Sequence, residues 1–168
     1  MKLKDFNWKA LALIGIAAGL LQVAAGVVMY LAGVYFASWS ILVNLLVLLL
    51  CIVFGTRWYS ARYLKAGVTY GQALVVGIFI SVSTGIVYAL YNIISISFFY
   101  PRFLDELLRT STEQLPPDQQ TPEAIALIRQ TLTTNRIAVA NLIRLSVVGS
   151  ILSVFASLML RTKRKVMN

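Results

Sequence analysis

The sequence predicts an all-α membrane protein with four transmembrane helices, and three observations predict it. Four long apolar stretches run through the chain. Charge is scarce and almost confined to the segments between them. The sign of that charge alternates from one segment to the next. Of the 168 residues, 59% are hydrophobic and only 12% are charged, whereas a soluble domain carries roughly 25% charged residues. Lipid, not water, is the solvent this composition suits.

The apolar stretches cover about 10–32, 39–56, 73–98 and 138–160 of a single membrane domain spanning 1–168. Each is near or above the ~17–25 residues that cross ~30 Å of hydrocarbon as a helix. Helix is the required form, because lipid offers backbone N–H and C=O groups no other partner. The first two stretches are separated by a short uncharged linker from Gly33 to Trp39 and read as a helical hairpin. The second is the shortest and richest in Leu and Val, so it reads as lipid-exposed. Aromatic residues stand at the boundaries: Trp8, then Tyr35, Phe36 and Trp39, then Trp58, Tyr59 and Tyr63, then Phe98, Phe99 and Tyr100. Their rings favour the headgroup level, being apolar at one end and polar at the other.

Orientation follows from charge. The N-terminal stretch (Lys2, Lys4 and Lys9 against Asp5), the second loop (Arg57, Arg62, Lys65) and the tail (Arg161, Lys163, Arg164, Lys165) are net positive. The first loop has no charge. The third is slightly negative, with Arg102, Arg109, Arg129 and Arg136 against Asp105, Glu106, Glu113, Asp118 and Glu123. Short basic loops stay cytoplasmic, so both termini are expected inside and the third loop outside. One alternative concerns the first stretch: lysines before an apolar run, with Val23-Ala24-Ala25 as a cleavage site, also describe a signal peptide. The run continues past that site and favours a retained helix; cleavage would leave the other helices in the same orientation.

The third loop, about 101–136, is the one sizeable polar region. Leu104, Leu107 and Leu108 share a helical face behind Pro101. Leu115-Pro116-Pro117-Asp118 breaks the chain, and Thr121-Pro122-Glu123 opens a second helix with a capping hydroxyl, a proline at the first helical position and an acid in the first turn. Ile125, Ile128 and Leu132 follow at helical spacing. Since neither Pro nor Gly interrupts 124–148, one expectation is a continuous helix over 122–160, about 58 Å at ~1.5 Å per residue. Its weak point is 131–135, where poor helix formers cluster.

The residues that usually carry chemistry are few. There is no histidine, and Cys51 is the lone cysteine, so no intrachain disulfide is available and the commonest metal ligand is missing. The apolar stretches hold no Asp, Glu, His or Lys, which leaves a proton relay or cation-coupled pump without its usual parts. Asp105 and Glu106 are adjacent and diverge on a helix. No catalytic constellation, metal site or cofactor is called for. The net charge of +9 sits at membrane edges, where insertion topology explains it, so nucleic acid is not an expected partner. The expected partners are the bilayer and either a second copy or another membrane protein.

Three stretches carry a stripe of small or polar residues: Gly15, Gly19, Gln22, Gly26 and Gly33; Gly77, Ser81, Gly85, Tyr88, Asn92 and Ser95; Ser146, Gly149, Ser153 and Ala156. Such stripes let helix backbones approach, and let hydroxyls and amides bond across. A bundle core is the first reading. A polar cavity lined by Gln22, Asn44, Tyr88 and Asn92 is the second. Arg144 lies inside the fourth stretch with no acid at membrane depth to pair with it. Either it snorkels to the headgroups or, with Asn141 one turn earlier, it faces an external vestibule and holds an anion or headgroup.

The start MKLKDFNWKALALIGI, the run YLKAGVTYGQALVVGIFISVSTGIVYALYNII, the following YPRFLDELL and a last apolar helix ending in RTKRK together resemble the DUF4199 family, membrane proteins of unknown function found mainly in Bacteroidetes. In that family a similar element leads into the third helix; here it is Thr69 to Leu74, with Tyr88, Tyr91 and Asn92 at the far end of the helix. The resemblance covers almost the whole chain and implies a four-helix protein of the bacterial cytoplasmic membrane, but no activity. Arg144 departs from its pattern. The functional readings that remain are a structural or interaction component of a membrane assembly, a small-solute transporter or channel, and an accessory subunit of a lipid-linked enzyme.

Overall fold

The computed structural model describes residues 6–37, 39–64, 68–99, 102–116 and 119–160. The basic residues Lys2, Lys4, Lys65, Arg161, Lys163, Arg164 and Lys165, together with Asp5, Tyr100, Pro101, Pro117 and Asp118, lie outside them. Among the described residues the chain is helical and has no strand: α1 (Trp8–Leu31), α2 (Ser40–Tyr63), α3 (Tyr70–Ile94) continued by a π-helical turn (Ser95–Phe99), α4 (Phe103–Glu113), α5 (Pro122–Thr131) and α6 (Thr134–Leu160). α1, α2, α3 with its π turn, and α6 are each long and apolar enough to cross a membrane.

Local chemistry sets the helix ends. Asn7 caps α1, its Oδ1 accepting from the Ala10 N–H at 3.1 Å. Between α1 and α2 the chain turns at Gly33, whose φ of 71° is one that only glycine adopts without strain. Thr69 and Gln72 form a reciprocal capping box at the start of α3, which gives the Thr69-Tyr70-Gly71-Gln72 element a physical role: it starts a helix. Thr121 caps α5, accepting from Ala124 N–H at 3.2 Å, with Pro122 in the first turn.

The expected continuous helix over 122–160 is not formed. α5 stops at Thr131 and α6 begins at Thr134. The break falls at the predicted weak point, where Leu132 leaves the helical backbone region (φ −82°, ψ 77°). Thr131 Oγ1 donates to the Ile128 carbonyl at 2.8 Å, and Thr133 Oγ1 accepts from Arg136 N–H at 3.4 Å. The Ile128 carbonyl still accepts from Leu132 N–H at 2.9 Å, so it is Thr133 that competes: it takes the Arg136 N–H that a through-helix would give to Leu132.

α3 is the central helix. It packs most extensively on α6, then on α1, with α2 laid against all three. The small-residue stripes create these contacts. A Cβ on Gly77 would come within 2.6 Å of Ser153 Oγ, and one on Gly149 would collide with Ser81, so α3 and α6 meet small side to small side in antiparallel register. Gly15 faces Ser83 and Gly19 faces Val87, so α1 lies parallel to α3. The stripes are therefore consumed within one chain. The serines do not bond across as expected: Ser81 Oγ donates to the Gly77 carbonyl at 2.8 Å and Ser153 Oγ to the Gly149 carbonyl at 2.7 Å, each on its own helix. Satisfied in this way, they pack as small side chains.

One end of the bundle gathers the start of α1, the end of α2 and Lys9, Arg57 and Arg62. There, Asn7 N–H donates to the fully buried Tyr59 Oη at 2.8 Å, and the Arg62 guanidinium lies 5.6 Å from the Trp58 ring centre. The opposite end carries the α1–α2 turn, the π turn, α4 and α5.

Candidate functional site

The sequence-predicted polar residues fall into two groups rather than one cavity. Gln22, 1% exposed, donates through Nε2 to Asn44 Oδ1 at 2.7 Å, and Asn44 Nδ2 donates to the Ser40 carbonyl at 3.0 Å. These two amides clasp α1 to α2. Tyr88 and Asn92 sit elsewhere, at the α4 end. There a small recess is lined by Gly26, Tyr30, Tyr35, Tyr88, Asn92 and Phe103, among others. Gly26 admits the Tyr88 hydroxyl, which a Cβ would meet at 3.1 Å. The recess holds about 20 Å³, space for about one water. Asn92 is 4% exposed, and its Nδ2 has no hydrogen-bond partner.

Unpaired buried polar atoms recur along the bundle: Gln22 Oε1, Thr56 Oγ1 and Thr84 Oγ1 join Asn92 Nδ2. Such atoms carry a desolvation cost unless a water or ligand meets them.

A second, larger recess lies beside the first. It is about 550 Å³, and its walls come from the α1–α2 turn (Tyr35, Phe36), the start of α2 (Ser40, Asn44), α4 (Thr110, Ser111), Gln114 just past α4, and Arg144 of α6. Tyr35 borders both recesses, with its hydroxyl 3.5 Å from that of Tyr88. Arg144 is exposed and has no ion-pair partner among the described residues; the ion pair formed there is Arg109–Glu113, on the open face of α4. Asn141, half-buried one turn earlier, does not line this recess.

α4 roofs both recesses because of an aromatic cluster that sequence reasoning missed. Phe103 is buried, with its ring centre 5.6 Å from Tyr35, 5.6 Å from Phe36 and 6.1 Å from Tyr30. Tyr30 Oη also donates to Glu106 at 3.4 Å. Tyr35 and Phe36 read as headgroup-level residues in the sequence. The signal that could have found the cluster is a second aromatic, Phe103, just past the third crossing. Each such pair contributes about 0.5–1.5 kcal/mol beyond area burial. Ser40 was missed as well: no pattern marks a helix-start serine as facing a residue a hundred positions away.

Among the described residues no three His, Cys, Asp or Glu side chains come together as a metal site. Cys51 is buried in the bundle.

Fold and site define a multi-pass α-helical membrane protein with polar and aromatic recesses at one end of its bundle. The family model described as "Protein of unknown function (DUF4199)" matches residues 13–162, and the chain belongs to that family. No curated protein and no solved structure matches it.

Proposed function

We propose that this protein is a non-catalytic interaction component of a bacterial cytoplasmic-membrane assembly, anchored by its four-helix bundle and recognised through its α4–α5 arm. One observation carries the reading. α5 fully buries no residue: Ile125 and Ile128 are half-buried, Leu127 is 63% exposed, and the packing of the helix on α4 is slight. An amphipathic helix that gains so little from its own chain is suited to meet something else. Because the bundle's small-residue faces are used internally, they are not the self-association surface. The basic end with both termini is cytoplasmic in this reading, supported by the charge rule, and the arm is external. A photo-crosslinking side chain at Leu127 in native membranes tests it. The expected product is one reproducible adduct with another membrane protein or a second copy; adducts with lipid alone overturn it.

A solute path is the second reading, favoured by the unpaired Thr56, Thr84, Gln22 and Asn92 atoms spread along the bundle. The closed Gln22–Asn44 clasp and the small space at Asn92 weigh against it. Proteoliposomes taking up glycerol or urea no faster than protein-free vesicles would remove it.

A further inference from the structure

Arg144 is a cation well inside a membrane-crossing helix. It stands six residues after Ala138, where the fourth apolar stretch begins, about 9 Å along the axis at ~1.5 Å per residue. A guanidinium at that depth needs a counter-charge or an aqueous route, and no described acid pairs with it. What the fold offers instead is the large recess. Within it Ser40 is 6% exposed, and its hydroxyl makes no hydrogen bond to any described residue. The Ser111 hydroxyl of α4 and the Gln114 amide just past it are likewise uncommitted to any described residue. Asn44 is not available, since both ends of its amide are in use. A fork of N–H donors, two hydroxyls and an amide around one open volume form the donor set of a phosphate-type anion.

The wall is not polar throughout. Ile41 lines the recess beside Arg144, and Ile143 and Val147 leave the adjoining face of α6 bare and apolar. A free anion would gain nothing from that apolar side. A phosphate carrying acyl chains would place its charge on the guanidinium and its chains along α2 and α6, which any membrane-crossing helix must cover with lipid anyway. We propose that this recess is a binding site for an anionic phospholipid, with Arg144 and Ser40 holding the headgroup phosphate and α4 closing over it. The site shares α4 with the proposed recognition arm but rests on Arg144 and Ser40, outside α5, and lipid retention is read separately from a protein adduct at Leu127.

The test uses the full chain in nanodiscs of equimolar phosphatidylcholine and phosphatidylglycerol, followed by mild detergent extraction and native mass spectrometry of the lipid retained. The intact protein is expected to retain phosphatidylglycerol preferentially. Arg144→Gln should lower that preference about tenfold, the scale of one charge-assisted fork lost. Arg144→Lys should keep part of it, and Arg136→Gln, an exposed arginine near the start of α6, should keep all of it. An unchanged preference in Arg144→Gln, or an equal loss in Arg136→Gln, overturns the site. Inorganic phosphate competing as well as short-chain phosphatidylglycerol would overturn the lipid assignment. Should Arg144→Gln fail to fold, Ser40→Leu fills the recess without removing the charge and must also reduce retention; full retention there overturns the proposal.

Discussion

At the residue scale, helix contacts in this protein are decided by what is missing from a side chain. Gly77 and Gly149 are glycines because Ser153 and Ser81 occupy the space a Cβ would take. Gly77→Leu should therefore cost at least ~1–3 kcal/mol from overpacking, measured by reversible unfolding in detergent. Gly33 is glycine for a different reason. Nothing lies within 4 Å of its absent Cβ, so Gly33→Ala should cost only the backbone term, roughly 1–2 kcal/mol for a positive φ. The Gln22–Asn44 clasp is worth less than its 2.7 Å length suggests, since amides in an unfolded membrane chain also find partners. A double-mutant cycle of Gln22→Leu and Asn44→Leu should give a coupling near ~0.6 kcal/mol and no more than ~1.7. A much larger coupling would mean that the clasp also orders its surroundings.

At the element scale, α4 and α5 differ in how they are held. α4 is pinned through Phe103 to the α1–α2 turn. Phe103→Ala removes a buried ring, a change that costs about 3–5 kcal/mol in a packed core. Its expected effect is local: faster amide exchange throughout α4, with α3 and α6 still protected. Exchange unchanged in α4 would show that the aromatic cluster does not hold it. α5 is set apart from α6 at Leu132, and the Thr133 hydroxyl caps the start of α6. Replacing Thr131 and Thr133 by alanine should fuse the two helices. Spin labels at positions 123 and 139, in a Cys51→Ser background, would then settle near 24 Å, the span of a straight helix at ~1.5 Å per residue. The bounds of these elements were only partly legible in the sequence. Thr121-Pro122 announced α5 because capping is local. The break at Leu132–Thr133 showed only as a weak point, because propensity sums do not say whether a hydroxyl will take an N–H from the ladder.

At the scale of the whole molecule, four apolar helices place α4 and α5 at one end and Lys9, Arg57 and Arg62 at the other. Single cysteines in a Cys51→Ser background can show which side each end faces. A membrane-impermeant maleimide added to intact cells should label Thr112→Cys and leave Ala61→Cys unlabelled until the cells are opened; the reverse pattern would invert the proposed orientation. The crossing segments, their helical form and the small-residue stripes were all determined by the sequence alone. Apolar length and small-residue spacing are properties of a single segment, and transfer into lipid acts on each segment separately. The tertiary structure alone decided which stripe meets which, that the stripes close on their own chain, and that Gln22 and Asn92 serve different places. It also decided that Ser40, Ser111 and Arg144 share one recess. Lipid tails are as apolar as leucine, so helices in a membrane choose partners by shape and close approach rather than by hydrophobicity, and shape between distant segments exists only once the chain has folded.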